Sequence, residues 1–279
     1  MTLHLKCNSK KNVDIIKPLL KAGVLYFGLL IFAGCSSFIV PLRSAPKDTD
    51  LSEGYQEMST KDYEEHLASL RDVFYQNPRL KITKLNRSSQ AYLESLVQEI
   101  LTNNEIFFKK LKYASITVID TEIPLHFSLP KGSIFLSKGL ITKYLKNESL
   151  LICLLSFELV KSEKLLYVKQ TFVPTGHVSL ERMLSINRLN LDEKMEVHKW
   201  AYHLTVRNGY EGESYLAWLQ AQNRNTADFV IQAGDINQIT REEALFKAFL
   251  IQDASDDVVQ NRRSTTKNYY KFLNELRES

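Results

Sequence analysis

The chain has 279 residues, 44% of them hydrophobic and 24% charged, with a formal net charge of +4. The first 34 residues hold five Lys and one Asp, so the remainder carries 31 basic and 31 acidic residues. No basic surplus is left for phosphate backbones, which excludes nucleic acid as a partner, and Cys35 and Cys153, the two cysteines beyond residue 34, make no disulfide framework.

Residues 1–21 are polar and basic, and residues 22–34 carry no charge. A basic stretch, a short apolar core and the small residues Ala33 and Gly34 before Cys35 predict a lipoprotein-type signal peptide over 1–34, cut before a lipidated Cys35. Ser36 after the Cys resembles the sorting pattern for the outer membrane, with the protein facing the periplasm. The alternative is an inner-membrane anchor, because the uncharged run extends over 22–42 and about 20 apolar residues span a bilayer. Either reading places Ser36 onward outside the cytoplasm, since the positive flank stays inside.

Residues 35–59 read as a tether, with Pro41, Pro46 and Gly54 and no sustained periodicity. Ser59 or Thr60 then caps a helix over 61–76, and helical spacing of apolar residues continues from 89 to 111. The β region follows: β-branched alternation over 114–120, then 125–129 and 133–137, broken at Pro130-Lys131-Gly132. Helices are predicted again over 138–146, 148–163, 179–187, 191–208, 212–222, 237–252 and 266–277, with Gly209 placed to end the longest. A mostly helical chain with one small sheet is α+β.

The stretch Asn147 to Lys161 carries the strongest functional signal. Zinc peptidases place two His one helical turn apart with a general-base Glu beside the first, as HExxH. Here the frame reads Phe157-Glu158-Leu159-Val160-Lys161. Upstream stand Leu125-His126-Phe127-Ser128-Leu129-Pro130-Lys131-Gly132, then Gly139-Leu140 and Asn147-Glu148. In order and spacing these residues resemble the HtpX and CAAX-prenyl endopeptidase family, number forty-eight among the metallopeptidases. Lys194-Met195-Glu196-Val197-His198 followed by Gly209-Tyr210-Glu211 resembles that family's third-ligand block. The resemblance covers roughly 89–223.

The resemblance implies a zincin-like domain over 60–223 with a C-terminal helical extension over 224–279. It also implies that the three ligand positions hold Phe157, Lys161 and Lys194, with Glu158 a vestige of the catalytic base. A phenyl ring has no lone pair and two ammonium ions repel a dication. The expectation is therefore a pseudo-metallopeptidase without metal or cofactor, with Glu158 paired to Lys161 or Lys194. By the same resemblance, the strand Ser133, Ile134, Phe135, Leu136 and Ser137 is the edge that aligns extended substrates. An open edge would capture a peptide by β-augmentation; the alternative is an edge blunted by Lys131 and Lys138. Cys153, in an apolar helix, is expected to be a small buried hydrophobe.

Three functions follow. The leading one is a lipid-anchored envelope protein that binds a peptide or partner protein, in keeping with the family's role in quality control at membranes. The second is an active zinc metalloendopeptidase whose ligands are displaced to His177, His198 and His203. The third is a structural envelope protein whose cleft is filled by residues 224–279.

Overall fold

The computed structural model describes residues 59–168, 176–252 and 263–279. The expectations for the signal peptide, Cys35 and the tether to residue 58 lie outside the described residues. The described residues form one compact unit. It is α+β: ten helices and one three-stranded mixed sheet, counted over the described residues.

In chain order, α1 (Thr60–Tyr75) and α2 (Arg87–Asn103) precede β1 (Ser115–Ile119) and β2 (His126–Leu129). A short 3-10 turn over Pro130–Gly132 leads to β3 (Ser133–Ser137), α3 (Lys138–Lys143) and α4 (Glu148–Lys164). Then come α5 (Leu180–Ile186), α6 (Leu191–Arg207), α7 (Glu213–Arg224), α8 (Thr226–Ala233), α9 (Ile236–Gln252) and α10 (Lys267–Glu278). Polar caps start many of these helices. Ser59, Asn86, Asn147, Ser179 and Thr266 each accept a backbone N–H of the first turn, and Asn190 closes a full capping box with Glu193. Gly209 follows the end of α6 with φ of 80°, a left-handed position that suits glycine.

The sheet order is β1-β3-β2, with β3 parallel to β1 and antiparallel to β2. Ser133–Ser137 is therefore the central strand. The expectation that it forms an open peptide-binding edge is corrected: both of its sides are taken by ladder hydrogen bonds. Strand alternation divides its side chains between two cores. Ile134 and Leu136 join Ile116 and Val118 against α2 and α4, whereas Phe135 joins Phe127, Leu129 and α1's Leu67, Leu70 and Phe74. Phe135 stacks on Phe127 at 4.7 Å, and Phe74 meets both edge-on.

Two glycines permit close backbone approaches. A Cβ on Gly132 (φ 73°) would lie 2.6 Å from the Tyr113 carbonyl, and one on Gly139 would lie 2.2 Å from that of Glu122.

The first helix ends where expected, but α2 stops at Asn103, well short of residue 111. Asn104 turns its amide back onto the Ile100 carbonyl and the chain leaves as a loop. Phe107 and Phe108, whose spacing fitted the helix, lie in that loop. The helix α8 was not read from the sequence at all.

The centre of the fold is α4. Apart from the last, Lys164, its residues are buried all round, as in a helix wrapped on every side. The acids at its two ends are fully engaged. Glu148 accepts from Tyr92 Oη at 2.6 Å and from Thr266 N and Oγ1, both at 2.9 Å. Near the other end Glu163 accepts the backbone N–H groups of Lys109, Lys110 and Leu111. The C-terminal helices belong to the same core: Phe229, Phe246, Phe249, Tyr269 and Phe272 pack with residues of α4 and α6. The described helices of the segment 224–279 thus contribute to the same core.

Candidate functional site

Residues 157, 158 and 161 of α4 meet one end of β2 and one face of α6. Phe157 and Lys161 lie one helical turn apart, and so do Lys194 and His198 on α6. His126 and Ser128 alternate onto the α4 side of β2. Helix α9 enters from the opposite side and brings Glu242.

Phe157, Lys161 and Lys194 line one cavity together with His126, His198 and Glu242. The three positions that the family resemblance assigns to metal ligands therefore converge. The cavity measures about 30 Å³, room for one or two waters at roughly 10–15 Å³ each and far too small for a peptide.

Two buried ion pairs occupy its walls. Lys161 Nζ lies 2.8 Å from Glu158 Oε2, both side chains being almost wholly buried. This contact is a charge pair and not an aligned hydrogen bond. Glu158 Oε1 is 2.5 Å from His126 Nδ1. Across the cavity, Lys194 Nζ lies 2.6 Å from Glu242 Oε1, and His198 Nε2 lies 3.3 Å from Glu242 Oε2. His198 Nδ1 is 2.9 Å from Tyr215 Oη. With both imidazoles neutral the bonds balance. His126 Nδ1–H donates to Glu158, His198 Nε2–H donates to Glu242, and Tyr215 donates to His198 Nδ1. Two Lys and two Glu then sum to zero. The Phe157 ring sits between the imidazoles, 5.9 Å from His126 and 4.9 Å from His198.

The titration directions fit this arrangement. Burial opposes ionisation of Glu158, but the Lys161 charge and the His126 bond outweigh it and hold the carboxyl well below the usual range. Glu242 is held low in the same way by Lys194 and His198, against its own burial. Burial lowers the pKa of His126 and of His198, in spite of their carboxylate partners. Burial likewise lowers that of Lys161, against the pull of Glu158.

No protein-family model matches the chain, and no curated protein matches it.

The donor set does not fit a catalytic zinc. Phe157 offers no lone pair, and both lysine nitrogens are held against carboxylates. Among the described residues no group of three or more His, Cys, Asp and Glu is placed to hold a metal. The displaced ligands do not assemble either. His177 is exposed in the loop before α5, His203 packs its ring on Phe249 at 5.8 Å, and His198 has both nitrogens engaged.

Each sheet edge is engaged at one end. On the outer side of β1, Ile82 bridges Ile119, with Thr83 N bonding Val118 O at 2.9 Å and Asp120 N bonding Lys81 O at 2.8 Å. On β2, the outward His126 N–H donates to Gln232 Oε1 of α8 at 2.9 Å. A side-chain amide from the C-terminal segment thus stands where the carbonyl of an added strand would bond.

Glu242 and Gln232 lie outside the part of the sequence that resembles anything, and His126 was quoted only as part of a motif. One signal for Glu242 is legible afterwards. It falls on the apolar stripe Ile239, Phe246, Phe249 of its helix, where an acid needs a partner. Cys153 is buried, and burial pushes its thiol up to about 12.

Proposed function

We propose that this chain is a lipid-anchored envelope protein with a metallopeptidase-like architecture that serves as a non-catalytic binder of peptide or protein. The observation that carries the reading is the convergence of Phe157, Lys161 and Lys194 on one cavity whose charges are neutralised by Glu158 and Glu242. An ammonium ion in each pair supplies positive charge to a carboxylate, the electrostatic role a dication has in an enzyme of the resembling family. Both oxygens of Glu158 are engaged, Oε1 by the His126 imidazole and Oε2 by the Lys161 charge. The membrane attachment through Cys35 comes from the sequence, and the quality-control theme from the family resemblance.

Metal content tests the non-catalytic part. After exposure to zinc and desalting, mass spectrometry of the intact protein should find less than a tenth of an equivalent. Near one equivalent, lost on changing His198, would put the active metalloendopeptidase in its place.

Gln232 on the β2 edge and Glu242 in the cavity favour a second reading, in which the C-terminal segment fills the cleft permanently and the protein is structural. Hydrogen exchange separates the two. A binder needs 226–252 to open at a lower free energy than the whole fold, freeing the edge. A structural protein exchanges the His126 amide and α8 only on global unfolding.

A further inference from the structure

We infer that the loop from Asn104 to Tyr113, with the adjoining outer face of α6, docks on an anionic lipid bilayer; this deepens the envelope reading and rests on it. Single exposed apolar residues are ordinary, but contiguous ones are not. Here Ile106 is 75% exposed, Tyr113 71% and Trp200 41%. The half-buried Phe107 ring joins the loop to α6, 4.9 Å from Trp200. Lys164 Nζ covers both rings, at 6.0 Å and 4.9 Å.

Charge in this loop is in positive surplus, three exposed lysines against the exposed Glu105. Lys109, Lys110 and Lys112 are exposed, and no ion pair holds them among the described residues. The nearby Glu163 does not neutralise them, because its carboxylate is turned inward to accept the N–H groups of Lys109, Lys110 and Leu111. That clamp fixes the loop backbone; Lys109 and Lys110 stay exposed, and Lys112 Nζ donates to the Phe108 carbonyl at 3.3 Å.

Indole and phenol rings at a polar–apolar boundary, ringed by long cationic side chains, fit the headgroup layer of a bilayer. Lysines near such a surface are drawn to acidic headgroups, which commits the partner to anionic lipid. The apolar run 22–42 gives the same chain a second membrane-directed segment.

The test uses the full chain with phosphatidylglycerol vesicles whose acyl chains carry bromine, a short-range quencher of tryptophan. Flotation reports attachment, and quenching reports docking. Docking predicts quenching of the wild type that disappears in Trp200→Phe, which leaves only the buried Trp218. It also predicts weaker quenching in the triple Lys109→Gln, Lys110→Gln, Lys112→Gln variant, whose patch affinity falls roughly a hundredfold. These side chains are exposed, so the variant folds; circular dichroism checks this. Flotation without quenching overturns the docking surface while leaving the anchor intact. Flotation that the triple variant abolishes supports the surface and removes the anchor. Failure of the wild type to float overturns both, and quenching that survives Trp200→Phe overturns the surface.

Discussion

The Glu158–Lys161 pair can be weighed by a double-mutant cycle. Lys161→Met leaves a carboxylate of zero exposure with only a neutral imidazole beside it. Glu158→Leu strands an ammonium ion whose side chain is 3% exposed. Removing one member of a buried pair costs about 3–5 kcal/mol, because the remaining charge stays desolvated. For a unit of this size each kcal/mol lowers Tm by roughly 2–4 °C, so each single variant should melt about 6–20 °C below wild type. The double variant removes both charges and puts apolar groups of similar volume in their place. Its remaining penalty is the His126 Nδ1–H left without an acceptor, about 1–3 kcal/mol. The two single costs sum to roughly 6–10 kcal/mol, so the pair should show a coupling energy of about 3 kcal/mol or more. Urea unfolding followed by circular dichroism at pH 7.5 measures all four corners. Additive costs would refute the pairing, because they would mean that each charge is stabilised by something other than its partner.

Acidification offers an independent check. Burial lowers the pKa of His126 and His198, so the unfolded chain binds more protons than the fold once pH drops below the free imidazole value of about 6.5. Stability should therefore fall between pH 6.5 and 5, by up to about 1.4 kcal/mol per pH unit for each histidine. The depressed carboxyls of Glu158 and Glu242 contribute stability above the free carboxylate range and lose it only at lower pH. Urea midpoints at pH 7.5, 6.5 and 5.5 should show the first loss. Gly139→Ala would press a Cβ to 2.2 Å from the Glu122 carbonyl, a backbone atom. The cost should be at least about 2 kcal/mol, seen as a lower melting temperature. Cys153, with its thiol pushed up to about 12, should resist iodoacetamide at pH 8 in the folded protein and react on unfolding, as residue-level mass spectrometry can follow.

Most element positions were legible because local signals agreed: a cap at Ser59, strand alternation over 114–120, and Gly209 after the end of α6. Two elements were misjudged where local and tertiary preferences part. Phe107 and Phe108 keep helical spacing with Leu101, yet Asn104 ends α2, and Phe107 reaches across to α6. Strand order is non-local, so Ser133–Ser137 could be read as a strand but not as the middle of a sheet. At the cavity, Phe157, Glu158, Lys161 and Lys194 were legible through the family resemblance. Their partners were only half so. The choice of Lys161 for Glu158 is an i,i+3 contact within one helix. The choice of Glu242 for Lys194 joins residues 48 positions apart and has no local signature beyond a misplaced acid on an apolar stripe.

Glu148, at the start of the central helix, has a bearing on how the protein is made. Its carboxylate is bound by Tyr92 from early in the chain and by Thr266 from late in it, and α10 closes over the same corner with Tyr269 bonded to the Leu145 carbonyl. On the ribosome, the core helix emerges more than a hundred residues before the groups that satisfy it. Until Thr266 is free, a buried acid lacks part of its shell and the flank of α2 is bare. The nascent domain should therefore depend on holding factors until the segment with Thr266 and Tyr269 has emerged. Premature termination before residue 266 would leave a species that proteases recognise.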